Sequence, residues 1–332
     1  MTVTATGTAL LEVRDLSTSF PTERGLVRAV DNVSFSVQPG EAVGLVGESG
    51  SGKSTVLRSL LDLIKPPGQV TGGSVVFRGQ DLRKLPESAL RQLRGGQISV
   101  IFQDPVNAFN PALTIGDQLR RVLKLHRREP PAGGYDREIT RMLARVGVDA
   151  AGKLDRYAFN FSQGQLQRIM IAAACLGGEP SLLLADEPTT SLDVTIEAQV
   201  LQLLRDLRRE LGLALVLVTH NLALVAELCD RVLVMYAGRL VEEGSVYQVF
   251  ERPSHPYTEQ LLRAMPRFPH TGGRLYTMRG NVPDLATAMP GCPFAPRCER
   301  YIGPRCDTQR PPLARSLTPS QRAACHLYPS VA

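Results

Sequence analysis

A glycine-rich loop carries the clearest chemistry in this sequence. It reads Gly47-Glu-Ser-Gly-Ser-Gly-Lys53-Ser54, which has the pattern G-x-x-x-x-G-K-[ST], and it lies between an apolar segment, residues 42–46, and a helical pattern, residues 54–63. Glycines let such a loop wrap a phosphate, so that backbone N–H groups and the positive end of the next helix face it. Lys53 would then reach the β- and γ-phosphates of a nucleotide, and the Ser54 hydroxyl would bind Mg²⁺. A chance match in a glycine-rich loop is the alternative, and the flanking strand and helix argue against it.

Two adjacent carboxylates form a second candidate site. Asp186 and Glu187 directly follow the apolar segment Leu182-Leu-Leu-Ala. A strand that ends in Asp-Glu usually leads only into a solvated loop, but downstream of a phosphate-binding loop it is typical of nucleotide hydrolysis. Asp186 would hold the magnesium through water, and Glu187 would polarise the water that attacks the γ-phosphate.

Length and composition place these motifs in a folded protein. The chain has 332 residues, of which 43% are hydrophobic and 21% charged, enough for about two domains with ordinary cores. Its longest apolar run, residues 169–176, is far short of the roughly 18 to 20 residues that span a bilayer. Residues 1–11 lack the basic start of a secretory signal, so we expect a cytoplasmic protein. The net charge of +6 indicates solubility more than an anionic partner.

The elements that position these motifs follow an α/β pattern. From Leu11 to about Pro253, short β-rich segments alternate with longer helical ones, which predicts a parallel sheet with helices packed around it. Several strand candidates are apolar throughout, as strands buried on both faces are. The strand candidates include residues 33–37, 42–46, 74–77, 98–102, 182–185, 213–219 and 231–236.

Two segments depart from this alternation. Residues 114–167 have helical patterns that are interrupted by the turn-forming stretch 129–134, which predicts an inserted helical subdomain. After Pro253 the composition shifts toward Pro, Arg and Cys, which predicts a separate C-terminal extension. We therefore predict a main domain over residues 1–253 and an extension over residues 254–332.

Further motifs lie between and beyond the two sites. Phe161-Ser162-Gln163-Gly164-Gln165, shortly before the Asp-Glu strand, resembles the signature sequence of ABC ATPases. Gln103 is similar to that family's Q-loop glutamine, and Ser191-Leu192-Asp193 is similar to its D-loop. His220 resembles the family's switch histidine. Phe20 looks like the aromatic residue that stacks on adenine. For Phe20, an ordinary core position is the equal alternative. The resemblance implies a P-loop ABC ATPase cassette with a RecA-like α/β core, an antiparallel β subdomain and the inserted helical subdomain.

The same resemblance implies a role for each matching residue. The catalytic set would be Glu187, His220 and Gln103, and the magnesium ligands would be Ser54, Gln103 and Asp186. The residues that contact ATP, in this subunit's own site or in its partner's, would be Gly47, Ser49, Gly50, Ser51, Gly52, Lys53, Ser54, Thr55, Asp186, Phe20, Ser162, Gly164, Gln165 and Asp193.

A narrower resemblance covers nearly the whole chain. The segment from Phe102 to Gly116, the segment His255-Pro-Tyr-Thr-Glu-Gln-Leu-Leu-Arg-Ala-Met-Pro266 and the tail beginning Val282-Pro-Asp-Leu285 are similar to the ATP-binding subunits of dipeptide, oligopeptide and nickel importers. This resemblance implies an ATPase that powers import, with short peptides as the first expectation and nickel or another small solute as the alternative.

The importer resemblance also implies partners and a location. We expect a second ABC ATPase subunit in a heterodimer, two transmembrane permease subunits and, indirectly, a solute-binding protein, with this chain peripheral at the cytoplasmic face of the cell membrane. A soluble ABC ATPase acting on nucleic acid is a different possibility. Fused cassettes, long coiled-coil insertions and interleaved aromatic and basic residues, which such proteins have, are not visible in the sequence, so we expect no nucleic-acid partner.

Four of the six cysteines lie close together near the C-terminus: Cys292, Cys298, Cys306 and Cys325. Their spacing, C-x5-C-x7-C-x18-C, differs from the paired C-x2-C rhythm of common zinc fingers. Four thiolates suit a [4Fe–4S] cluster, and the resemblance implies one because similar tails carry it. A structural zinc ion with four Cys ligands is the alternative.

One residue departs from the family pattern, because Gln163 stands where the signature normally has its first glycine. Ser162-x-x-Gln165 also forms a capping-box pattern, which predicts Ser162 as the N-cap of a helix that runs toward Leu176. Gln163 would then be the first helical residue, with a backbone conformation that needs no glycine.

Overall fold

A computed structural model describes residues 8–127, 129, 132–190, 192–265, 276–287, 289–318 and 320–328. The strands are β1 (Leu11–Thr22), β2 (Gly25–Val37), β3 (Ala42–Val46), β4 (Gln69–Phe77), β5 (Gln80–Asp81), β6 (Ile98–Ile101), β7 (Leu182–Asp186), β8 (Ala214–Thr219), β9 (Arg231–Tyr236), β10 (Arg239–Ser245), β11 (Ala314–Arg315) and β12 (Arg322–Ala323).

The helices alternate with these strands along most of the chain. They are α1 (Lys53–Leu60), α2 (Glu87–Leu93), α3 (Pro105–Ala108), α4 (Ile115–His126), α5 (Gly134–Arg145), α6 (Gln163–Leu176), α7 (Val194–Leu211), α8 (Leu222–Leu228), α9 (Val246–Glu251), α10 (Pro256–Arg263) and α11 (Arg305–Thr308). Short 3₁₀ turns occupy Leu82–Lys84, Ala158–Asn160 and Ala295–Arg297.

The described residues form two compact units, the first within residues 1–38, 42–83 and 218–332 and the second within residues 39–41 and 84–217. The first unit contains an antiparallel sheet in the order β2-β1-β4-β5. It also contains the strand order β11-β12-β10-β9-β3, in which β3 and β9 are parallel, with Leu45 opposite Leu233. All five residues of β3 are buried, as expected for a strand with apolar residues on both faces.

The described residues after Pro253 lie in this first unit. Strand β12 pairs antiparallel with β10, with Ala323 opposite Glu242, so the C-terminal segment extends the sheet. The segment also contributes α10, whose Pro256 occupies the first helical turn, where proline's missing N–H costs no hydrogen bond. A segment rich in proline and arginine is thus held by strand pairing and by helix packing.

The second unit contains most of the helices and the parallel pair β6 and β7, in which Ile98 lies opposite Leu182 and Ile101 opposite Ala185. Helices α4 and α5 occupy the segment for which we predicted a helical subdomain. Helix α4 begins after Thr114, whose side chain accepts a hydrogen bond from Asp117 N–H, and ends at His126, just before the predicted turn. Part of that turn lies outside the described residues.

The predicted strand segments are confirmed. Residues 42–46 and 231–236 form β3 and β9 with the predicted limits, and the other predicted segments lie within a strand or differ from one by a single residue. Helix α1 ends at Leu60, earlier than the helical pattern predicted, and Asp62 beyond it has a left-handed backbone with φ 53°. Among the described residues, none of the helices combines the length and apolar character needed to cross a bilayer.

Candidate functional site

The glycine-rich loop connects β3 to α1 in the first unit. The Lys53 ammonium donates hydrogen bonds to the carbonyl oxygens of Gly47 and Glu48, each at 2.8 Å, and approaches Ser51 Oγ at 3.4 Å. Gly47 has φ 153°, and a Cβ there would lie 2.1 Å from the Met235 carbonyl oxygen. The loop therefore requires glycine at this position, and its own backbone holds the lysine.

The remaining loop residues surround this arrangement. Ser51 is buried, Gly52 is half-buried at the start of α1, and Ser54 and Thr55 are half-buried in its first turn. Ser49 and Gly50 are exposed at the tip of the loop. The loop thus presents small and hydroxyl-bearing residues beside the N-terminal end of a helix, the arrangement that favours an anion.

The two carboxylates end β7 in the second unit. Asp186 is the last residue of the strand and is buried, while Glu187 follows with a left-handed φ of 46°. The Thr190 hydroxyl donates a hydrogen bond to Glu187 Oε2 at 2.7 Å, and Gln103 Nε2 lies 3.5 Å from the same oxygen.

The sheet explains why Gln103 and Glu187 meet. Strands β6 and β7 are neighbouring parallel strands, and Ile101 lies opposite Ala185. The carboxyl ends of parallel strands share one edge of a sheet, so the loop that carries Gln103 and the turn that carries Glu187 emerge together. This is the edge where α/β folds bind ligands.

The signature segment begins α6. Ser162 Oγ accepts a hydrogen bond from Gln165 N–H at 3.3 Å, and Gln165 Oε1 accepts one from Ser162 N–H at 3.1 Å. The predicted capping box is therefore confirmed, and Gln163 is the first residue of the helix, with an exposed side chain. Gly164 lies against Ile196 of α7.

Three further predicted site residues lie at the ends of elements. Asp193 caps α7 through a 2.9 Å hydrogen bond from Ile196 N–H to its side chain, whereas Ser191 lies outside the described residues. His220 is exposed directly after β8, and Phe20 is half-buried in β1.

The four C-terminal cysteines line one small cavity in the first unit, with His255, Phe294 and Arg300 among its other lining residues. None of the four is in a disulfide. Burial, opposed by a hydrogen bond and reinforced by the neighbouring cysteines, raises the pKa of Cys292 to about 12, and burial also raises the pKa of Cys298 and of Cys325. In the described part of the chain, the structure has no group of three His, Cys, Asp or Glu side chains arranged to hold a single metal ion.

Comparison with known families decides the relationship. The ABC transporter family profile matches residues 30–190, and the profile of the oligopeptide/dipeptide transporter C-terminal region matches residues 241–306. The oligopeptide transport ATP-binding protein OppD of Escherichia coli (strain K12) is 46% identical over 318 residues, which are 96% of this chain and 93% of that protein. The chain belongs to the ABC transporter ATP-binding proteins.

Other relatives agree with this assignment. The dipeptide transport ATP-binding protein DppD of the same strain is 44% identical to this ABC ATPase over 97% of each chain. The dimeric bacterial ABC transporter cassette MJ0796 aligns with a TM-score of 0.64 and 26% identity, over 71% of this chain and 98% of its own. The predicted fold class, a P-loop ABC ATPase cassette of the α/β type, is confirmed, and the chain is an ATPase that uses ATP with Mg²⁺.

Sequence reasoning missed some residues of this ABC ATPase that contact its motifs. Thr190 lies three positions after Glu187, and that spacing within a turn was its only signal. Tyr257 and Arg297 contact the glycine-rich loop from the C-terminal region. No local pattern marks them, because their contacts join segments that are distant in the sequence.

Proposed function

We propose that this ABC ATPase powers the import of short peptides through separate permease subunits, as one half of a closing ATPase pair. The observation that carries the proposal is the match of residues 241–306 to the oligopeptide/dipeptide transporter C-terminal region. Relatives described as oligopeptide and dipeptide transport ATP-binding proteins, similar over almost the whole chain, support the same cargo. We also propose the division into a cassette, residues 1–253 with its helical subdomain at about 114–167, and an extension, residues 254–332.

The proposed chemistry is hydrolysis of the γ-phosphate bond. Lys53 would leave its two loop carbonyls to bind the β- and γ-phosphates, with Ser54, Gln103 and Asp186 as ligands of Mg²⁺, which supplies charge neutralisation. Glu187 would accept a proton from the attacking water as the bond between the γ-phosphorus and the bridging oxygen breaks. The hydrogen bond from Thr190 to Glu187 Oε2 supports this role, because it fixes the carboxylate in one orientation.

The remaining positions would complete nucleotide recognition. His220 would contact the γ-phosphate and Phe20 would stack on adenine. In a head-to-tail pair, Ser162, Gly164, Gln165 and Asp193 would face the nucleotide held by the partner. ATP would then close the pair and hydrolysis would reopen it, so that binding energy drives the transport cycle. We propose a heterodimer, two permease subunits and a solute-binding protein as the assembly, with this subunit at the cytoplasmic face of the membrane.

We also propose that Cys292, Cys298, Cys306 and Cys325 hold a [4Fe–4S] cluster. All four line a single cavity, and thiolates are the ligands that iron–sulfur clusters require. A structural zinc ion bound by the same four cysteines is the alternative.

The assembled importer provides the test. In proteoliposomes that contain the ATPase pair and its permeases, Glu187→Gln should retain MgATP binding and lower ATP turnover by about 10²- to 10⁴-fold, with a matching loss of peptide uptake. Glu179→Gln, an exposed glutamate in the same unit, is the control and should keep both activities. Phosphate release at the wild-type rate from Glu187→Gln would reject its assigned role, and ATP-driven uptake of a different solute without peptide uptake would reject the cargo.

A further inference from the structure

Glu48 occupies a position of the glycine-rich loop for which the motif specifies no residue, yet its side chain has a specific partner. Arg297, in the 3₁₀ turn between Cys292 and Cys298, donates to both carboxylate oxygens of Glu48, at 2.7 Å to Oε2 and 3.0 Å to Oε1. The Arg297 side chain is only 5% exposed. A bidentate guanidinium–carboxylate pair of this kind fixes direction as well as distance.

The backbone of Glu48 is held from the same region. Its N–H donates a 2.8 Å hydrogen bond to the hydroxyl of Tyr257 in α10. Tyr257 is fully buried and packs on Tyr236 and Phe294, with ring centroids 4.6 and 5.4 Å away. This amide therefore points at a rigid phenol, which is itself held by an aromatic cluster.

The anchored residue in turn holds the lysine of the motif. Lys53 Nζ donates to the carbonyl oxygens of Gly47 and Glu48, both at 2.8 Å. The two carbonyl oxygens therefore determine the position of the Lys53 ammonium before a phosphate binds. Arg297 and Tyr257 thus act on Lys53 through one peptide unit.

We propose that Arg297 and Tyr257 are positioning residues for the phosphate-binding loop, through which the C-terminal region sets the affinity of the cassette for MgATP. The inference rests on the proposed role of Lys53 in nucleotide binding. Without the two anchors, the Gly47–Glu48 peptide gains conformational freedom that ATP binding must remove, and that ordering lowers affinity. Neither residue touches the reacting atoms.

The test is equilibrium titration of the full-length chain with MgATP. Arg297→Met removes the guanidinium at similar side-chain length and should weaken MgATP affinity by about tenfold. Glu48→Gln should weaken MgATP affinity similarly. The double variant should bind MgATP no less tightly than the single variant with the lower affinity, because the two substitutions remove the same ion pair. Tyr257→Phe removes only the hydroxyl and should cost about threefold.

Arg263→Met is the matched control. Arg263 pairs with Glu299 at 3.3 Å and lies over the Tyr276 ring in the same unit, so its loss should leave MgATP affinity unchanged. In the assembled importer, Arg297→Met should raise the KM for ATP while kcat stays within about twofold. A general loss of folded protein would lower kcat instead.

Several outcomes would overturn the inference. Wild-type MgATP affinity in folded Arg297→Met would do so, and so would fully additive effects of Arg297→Met and Glu48→Gln. If Arg297→Met does not fold, unchanged affinity in Tyr257→Phe overturns it. Lys53→Ala separates this inference from the proposed function. Unchanged MgATP affinity in Lys53→Ala would reject the role of the loop in nucleotide binding. If Lys53→Ala loses MgATP binding but Arg297→Met keeps wild-type affinity, only the positioning role is rejected.

Discussion

The Thr190 hydroxyl donates a 2.7 Å hydrogen bond to the carboxylate of Glu187, inside the turn that follows β7. Glu187 has a left-handed φ of 46°, a conformation that costs a non-glycine residue about 1 kcal/mol or more. The turn holds the Glu187 backbone in this strained conformation, and Thr190 fixes the orientation of the Glu187 carboxylate. The orientation of the proposed general base therefore depends on a neighbour three positions away.

We predict that Thr190→Val lowers ATP turnover about tenfold while MgATP affinity is retained, because the substitution removes one hydrogen bond to a charged group and keeps the shape of the side chain. Steady-state phosphate release and nucleotide titration of the assembled pair measure the two quantities. Thr22→Val, which removes a hydroxyl that donates to Gly25 O in a hairpin turn, is the control and should have no effect. Wild-type turnover in Thr190→Val would contradict the positioning role.

The capping box at the signature segment gives a second prediction. Ser162→Ala removes the oxygen that accepts from Gln165 N–H, so it should lower the free energy of unfolding by about 1 kcal/mol, as measured by urea denaturation. It should also lower turnover at the nucleotide site that Ser162 completes. Ser245→Ala, which breaks the capping box of α9, should reduce stability similarly and leave turnover per folded pair unchanged. Equal effects of both variants on turnover would argue against a nucleotide role for Ser162.

The cysteine cavity gives a third prediction. Full-length protein purified without oxygen should be brown, with broad absorption near roughly 400 nm from thiolate-to-iron charge transfer. Cys298→Ser should lose the iron and the colour, since it removes one of the four thiols that line the cavity. Cys229→Ser, which changes a cysteine outside that cavity, should keep both. Elemental analysis that finds zinc and no iron in the wild-type protein would contradict the cluster.

His255 gives a prediction about pH. Burial lowers the pKa of His255 from its ordinary value of 6.5 to about 3, so the folded protein keeps the imidazole neutral while the unfolded chain protonates it below 6.5. Its contribution to stability is complete above pH 6.5 and is lost as the pH falls toward 3, by about 2 kcal/mol at pH 5. Urea denaturation at pH 7 and pH 5 should show that wild-type protein loses about 2 kcal/mol more than His255→Gln. Identical losses would place the imidazole in contact with solvent.

The elements that sequence reasoning located best are those whose burial follows from composition alone. Strand β3 is apolar throughout and was predicted with its observed limits. Strand β10 was not predicted, because Glu242 and Glu243 interrupt its apolar pattern. Glu242 is nonetheless fully buried, and its carboxylate accepts hydrogen bonds from the N–H groups of Ser254 and His255 at 2.7 and 2.9 Å. A charged residue can occupy a core position when distant donors satisfy it, and those donors cannot be read from the strand itself.

The residues of the candidate site also differ in how far the sequence alone could predict them. The glycine-rich loop and the Asp186-Glu187 pair were visible because each is contiguous, and its chemistry follows from short spacing. The contact between Glu48 and Arg297 joins residues 249 positions apart, and its geometry depends on the path of the tail after α10. Only the folded chain brings such partners together.

The pairing of β12 with β10 also covers one side of β10 that would otherwise be open to another chain. Strand β10 has one neighbour in β9 and the other in β12, and the Ala324 N–H extends that second pairing to the Val241 carbonyl at 2.8 Å. Proteolysis that removed the last two strands would leave a row of unpaired N–H and C=O groups along a buried strand, which is a template for strand addition by another chain. At this end of the sheet the outermost strand is β11, which is only two residues long, and an edge that short offers little for a neighbour to extend.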